Sequence, residues 1–205
     1  MTEARDDRET MMDSELDSEH TMPPMRSLRF DSPQALYRTM PEVGIFTKHR
    51  PSEDEDALGY LERLRSSTTP EDAVTYAAFA AEPKMAISWG VDCVRMNQPN
   101  LSAEDSHLAN AVLQWLEYPG HETRWHAMQG ALFAPRRTPL VYLGLAVGWS
   151  GGPMAPNDPL SVPLWRTPKA VNVAVLSSIA TLGLDHRSVS LARVLDLAAG
   201  LFRIY

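Results

Sequence analysis

Gly148-Trp149-Ser150-Gly151-Gly152 fits the G-x-S-x-G pattern in which a serine hydrolase lifts its nucleophile into the open on a sharp strand-to-helix turn. That chemistry needs a strand before the serine and a helix behind it, whose N-terminus helps to stabilise an oxyanion. The flanks here supply neither. Thr138-Pro139 pairs a capping residue with a proline at a first helical position, and the apolar run Leu140 to Trp149 follows. Beyond Ser150 comes a loop with Pro153, Pro156, Pro159 and Pro163. Gly151 and Gly152 therefore read as a helix stop, where the missing Cβ makes a left-handed residue least costly.

The other reactive residues meet the same test. His121-Glu122-Thr123-Arg124-Trp125-His126 approaches the H-E-x-x-H zinc motif, but its histidines are five apart instead of four. Five residues turn a helix by a net ~140°, so the two imidazoles cannot easily share one ion. His121 reads as a surface or helix-start residue. Ser150 with Asp158 or Asp185 and His186 stands in hydrolase order, yet order alone carries no geometry. Cys93 falls on a stripe with Ala86, Trp89, Gly90 and Val94, the place of a small buried hydrophobe. No glycine-rich loop joins a strand to a helix. No catalytic residue, cofactor or metal is expected. The alternative is a serine hydrolase acting through Ser150.

The segment that remains is the loop from Ser150 to Pro163. It is long for a connection inside a domain, apolar at Met154, Leu160 and Val162, and stiffened by four prolines. A stiff segment loses less entropy on binding, which suits a contact surface. The candidate partner-binding residues are Trp149, Met154, Leu160, Val162, Trp165 and Arg166, with Lys169 as further polar rim. The competing reading is a loop folded back over the core with Trp149 or Trp165 as its lid.

The elements that would position this loop are helical. Thr69-Pro70-Glu71-Asp72, Ser102-Ala103-Glu104-Asp105, Thr138-Pro139 and Thr167-Pro168 are all start signals. Each precedes apolar residues at helical spacing, such as Val74, Ala77, Ala78 and Ala81, or Leu108, Val112, Trp115 and Leu116. Ser52, followed by Glu53, Asp54 and Glu55, reads as an earlier start of the same kind. No stretch alternates apolar and polar residues long enough for a sheet. The expectation is an all-α fold, a compact orthogonal bundle of about seven to eight helices. Leu140–Trp149 and Val171–Ala180 are apolar nearly all round and belong at its centre.

Composition bounds the rest. The 205 residues carry a net charge of −7, of which −6 falls within residues 1–20. That leaves a near-neutral body without the electrostatic footprint of a nucleic-acid binder. No run approaches the ~20 apolar residues that cross a bilayer, so membrane insertion is not expected. The polar acidic start does not resemble a secretory leader, and a single cysteine suits a reducing compartment, so cytoplasmic residence is expected. The expected organisation is a disordered acidic tail over 1–28, a transition over 29–51 with one short helix after Ser32-Pro33, and a helical domain over 52–205.

Pro139-Leu140-x-x-Leu143, Ala146-Val147-x-Trp149-Ser150-Gly151-Gly152-x-Met154-Ala155-Pro156, Val162-Pro163 and Lys169-Ala170-Val171-x-x-Ala174-Val175-Leu176 together carry a resemblance. With the Ala86–Val94 helix, the chain over about 68–203 resembles an uncharacterised bacterial all-helical family associated with type VI secretion gene clusters. Asn157-Asp158 and fewer consecutive prolines depart from the family's loop. The resemblance implies an accessory or adaptor role, with another protein, a secretion effector or spike component, as partner. It implies no activity for any residue.

Overall fold

The computed structural model describes residues 27–154 and 158–203. The expected disordered tail lies outside the described residues except at Ser27 and Leu28. Those two already pair with the body: the Glu82 amide donates to the Ser27 carbonyl at 2.8 Å, and Leu28 bridges Ala81.

Ten helices make up the described chain, with no named strand: α1 (Pro33–Thr39), α2 (Val43–Phe46), α3 (Ala57–Arg65), α4 (Glu71–Ala80), α5 (Pro83–Asn97), α6 (Ala103–Glu117), α7 (His121–Leu132), α8 (Pro139–Gly148), α9 (Arg166–Ala180) and α10 (Leu184–Leu201). The all-helical expectation holds, but the count exceeds the seven to eight expected. Part of the excess is in 29–51, which holds two helices instead of one. α1 starts as read, with the Ser32 hydroxyl accepting the Ala35 amide at 3.1 Å. α2 is a single turn after Pro41, too short to leave a periodic trace in sequence. This segment is also tied into the body. Leu36, Met40 and Val43 are buried, and Tyr37 Oη lies 2.8 Å from Tyr60 Oη, whose ring packs edge-on against Tyr76.

The start signals divide by chemistry. Ser102 and Thr138 cap α6 and α8 as expected, accepting the amides of Asp105 and Val141. Asp105 also accepts the Thr138 hydroxyl at 2.6 Å, which ties the two helix starts together. Three starts move. Asp56, not Ser52, caps α3 by accepting the Gly59 amide at 2.8 Å. The Thr69 hydroxyl caps nothing and has no hydrogen-bond partner among the described residues. α9 begins at Arg166, and Thr167 within it donates its hydroxyl to the Ala146 carbonyl of α8.

α8 and α9 lie at the centre. α8 packs on α5, α6, α7 and α9, and α9 packs on α4, α5, α8 and α10. Every residue of α8 except Tyr142 is buried. Close approach of α7 to α8 requires Gly144: a Cβ there would sit 2.9 Å from Ala131 Cβ and 3.1 Å from the Ala127 carbonyl. One polar hub joins α5, α9 and α10. Asn97 donates to Ser178 at 2.9 Å and accepts from the Ser190 hydroxyl at 2.5 Å, so these buried groups are mutually satisfied.

Candidate functional site

α8 and α9 meet at their surface edges in a groove built from one stripe of each. Tyr142, Leu145 and Trp149 follow at three- and four-residue spacing along α8 and its C-cap. Arg166, Lys169, Ala170 and Val173 do the same along α9, with Trp165 at its N-cap. The groove encloses about 330 Å³. Both tryptophans are half-buried and rest on the core.

The walls are aromatic and the rim is cationic. The Arg166 guanidinium lies 5.4 Å from the Trp149 ring centre and 5.8 Å from that of Trp165. Lys169 Nζ stands 5.3 Å from Trp165 and 4.8 Å from Phe46. Among the described residues, neither cation has a carboxylate within 4.0 Å. Stacking on an indole face holds a cation in place without neutralising it.

The described residues of the loop joining the two helices include a short pairing. Pro153 bridges Ser161, the Met154 amide donates to the Leu160 carbonyl at 3.2 Å, and the Val162 amide donates to the Gly152 carbonyl at 3.1 Å. Ala155, Pro156 and Asn157 lie outside the described residues. Leu160 and Leu164 of this loop are 66% and 55% exposed. Of the residues singled out in sequence, Trp149, Trp165 and Arg166 line the groove. Met154, Leu160 and Val162 sit on the adjoining loop.

Arg124 holds this loop to the helices, and no sequence signal marked it. Its side chain is only 6% exposed, and its Nη1 donates to the Gly148 carbonyl at 3.1 Å and to the Gly151 carbonyl. These are carbonyls at and just beyond the end of α8, where partial negative charge accumulates. Burial holds the Arg124 guanidinium below its usual pKa. Gly152 next to it has a φ of 71°, the left-handed conformation expected of a glycine at this stop.

Ser150 follows a helix, not a strand, and its hydroxyl donates to the Val147 carbonyl at 2.8 Å. His121 stands at the start of α7 and accepts the Trp125 indole N–H at 2.8 Å. His126 turns instead toward His107 of α6, with ring centres 6.1 Å apart. Among the described residues no three His, Cys, Asp or Glu side chains gather as a metal-ion site. Cys93 is fully buried, and burial pushes its thiol pKa up. No described helix is long and apolar enough to cross a membrane.

A second cavity, of about 540 Å³, lies between α6 and the turn after α7. Glu104, Asp105, His107, Phe133 and Arg136 are among its lining residues, and Phe133 is 86% exposed. No residue pattern in the sequence marks it.

No curated protein and no solved structure matches the chain. The model of a family of unknown function, DUF6931, matches residues 60–202, from within α3 to the residue after α10. That is nearly the stretch over which the sequence resembles an uncharacterised family. Both halves of the groove fall within the match, and the chain belongs to the DUF6931 family.

Proposed function

We propose that the chain is a non-enzymatic, protein-binding accessory or adaptor protein, serving the loading of type VI secretion effectors or spike components. The observation that carries the binding reading is the convergence of Trp149 and Trp165 on Arg166 around an open groove. Tryptophan and arginine in a concave, partly desolvated patch are the residue types that dominate interface energies. The loop that joins the two helices of the groove adds exposed Leu160 and Leu164. The secretion context is supported by the sequence resemblance alone.

The test is comparative. The full chain and its Trp165→Ala and Leu160→Ala variants are used as bait in cells of the native host, with circular dichroism verifying each fold. Phe133→Ala is the control at the other cavity. Truncating an anchoring tryptophan costs about 2 kcal/mol or more, which weakens binding by ~30-fold. Loss of one secretion effector or spike component with Trp165→Ala, and its retention with Phe133→Ala, supports the reading. Equal recovery by every folded variant removes the groove from it.

A further inference from the structure

Resting on the reading of the groove as a binding site, we propose that the acidic segment over residues 9–19 of this chain docks into the Trp149–Trp165 groove and competes there with the protein partner. Three observations lead to it. The first is the rim: Arg166 and Lys169 are held against aromatic rings, and neither has a carboxylate within 4.0 Å among the described residues.

The second is complementarity in sequence. Residues 1–20 carry a net charge of −6, while the remaining residues sum to about −1. Within residues 9–19, Glu9, Asp13, Glu15, Asp17 and Glu19 are interleaved with Met11, Met12 and Leu16. Carboxylates answer the two cations, and methionine thioethers pack well against aromatic walls. The 540 Å³ cavity is a poorer match for the same segment, because Glu104 and Asp105 line it beside Arg136.

The third is the tether. The segment rejoins the body at Ser27, whose carbonyl accepts the Glu82 amide directly after α4. From there a short relay of contacts reaches the groove. Phe79 of α4 lies 6.2 Å from Phe46, Phe46 lies 4.8 Å from Lys169, and Lys169 lies 5.3 Å from Trp165. The eight residues from 19 to 27 span up to ~27 Å when extended, enough to carry an acidic segment to a rim so close to its root. A short tether also gives an effective concentration in the ~mM range, so a weak contact suffices.

The experiment uses the full chain with Ser14→Cys carrying a nitroxide label; Cys93 is fully buried and leaves the label one site. Indole N–H signals of Trp149 and Trp165 are read with the nitroxide oxidised and then reduced. Docking predicts that both signals are lost in the oxidised state while that of Trp115 persists. They return when Glu9→Gln, Asp13→Asn, Glu15→Gln, Asp17→Asn and Glu19→Gln are combined in the same chain. Absence of broadening, or broadening unchanged by that neutralisation, overturns the proposal. Broadening that arises only between labelled and isotope-enriched molecules mixed together also overturns it, because a second copy is then the occupant. Partner capture by the tail-neutralised chain reports separately on the groove. If capture still depends on Trp165 while no broadening occurs, the tail proposal fails and the binding reading stands.

Discussion

Replacing Arg124 by alanine tests the link between the helical core and the groove. Its guanidinium donates to the Gly148 and Gly151 carbonyls, where α8 ends and the loop begins. A hydrogen bond to a charged group contributes about 1.5–3 kcal/mol, and a cation at a helix C-terminus up to ~2 kcal/mol in a partly buried geometry. Desolvation of the buried guanidinium opposes both, and the same burial holds its pKa below the usual value. Gly151 is exposed, so water can replace part of what its carbonyl loses. The balance is a loss of about 2–3 kcal/mol in Arg124→Ala. For a chain of this size that is a fall in Tm of about 5–10 °C. Arg124→Lys keeps the charge but not the fork that reaches two carbonyls, and should fall between alanine and wild type. Urea and thermal unfolding followed at 222 nm give both numbers. A loss below about 0.5 kcal/mol for alanine would refute the assignment of Arg124 as the clamp, since that is the range of an ordinary surface substitution.

Gly144→Ala gains about 1 kcal/mol of helix propensity but meets Ala131 Cβ at 2.9 Å and the Ala127 carbonyl at 3.1 Å, neither of which can rotate away. Overpacking of about 1–3 kcal/mol wins, so thermal unfolding should show a lower Tm; an unchanged or higher Tm contradicts the close α7–α8 approach. Glu55 has its pKa held low, chiefly by the hydrogen bond from Arg63 at 2.6 Å, against the desolvation that raises it. Its contribution is therefore present above its unfolded pKa and is lost as pH falls through the lower folded value. Arg63 is 43% exposed, so only about 0.2–1 kcal/mol is at stake, and Glu55→Gln should flatten that part of the acid limb in urea unfolding measured between pH 3 and 6. A fluorophosphonate probe should leave Ser150 unlabelled; labelling of wild type but not of Ser150→Ala would restore the serine-hydrolase alternative.

The helical class was legible because caps and apolar stripes agree, as at Ser102 with Leu108, Val112 and Trp115. Starts were missed where a better group stood nearby. Asp56 displaced Ser52, and tertiary contact drew Thr167 away from capping into a bond with Ala146. Of the groove, Trp149, Trp165 and Arg166 could be read from their place beside a stiff loop. Tyr142 and Leu145 could not, because α8 is apolar all round and its periodicity does not say which stripe is left open. Arg124 was invisible for a different reason. It sits in a polar-looking helix start, and only the fold brings the end of α8 to it. The contact of the 29–51 transition segment with the helices, made by Tyr37 on Tyr60 and by Tyr60 on Tyr76, joins residues 23 and 16 positions apart and leaves no local trace in sequence.

Site-specific photo-crosslinking in cells of the native host tests the central claim most directly. A photoreactive residue is placed at Leu160 or Leu164, both exposed on the loop that joins α8 and α9, and separately at Phe133 by the other cavity. The account predicts one discrete protein adduct from Leu160 and Leu164, reduced when Trp165→Ala is added, and no such adduct from Phe133. Adducts from Phe133 alone, or adducts from Leu160 that persist with Trp165→Ala in a folded chain, would contradict it.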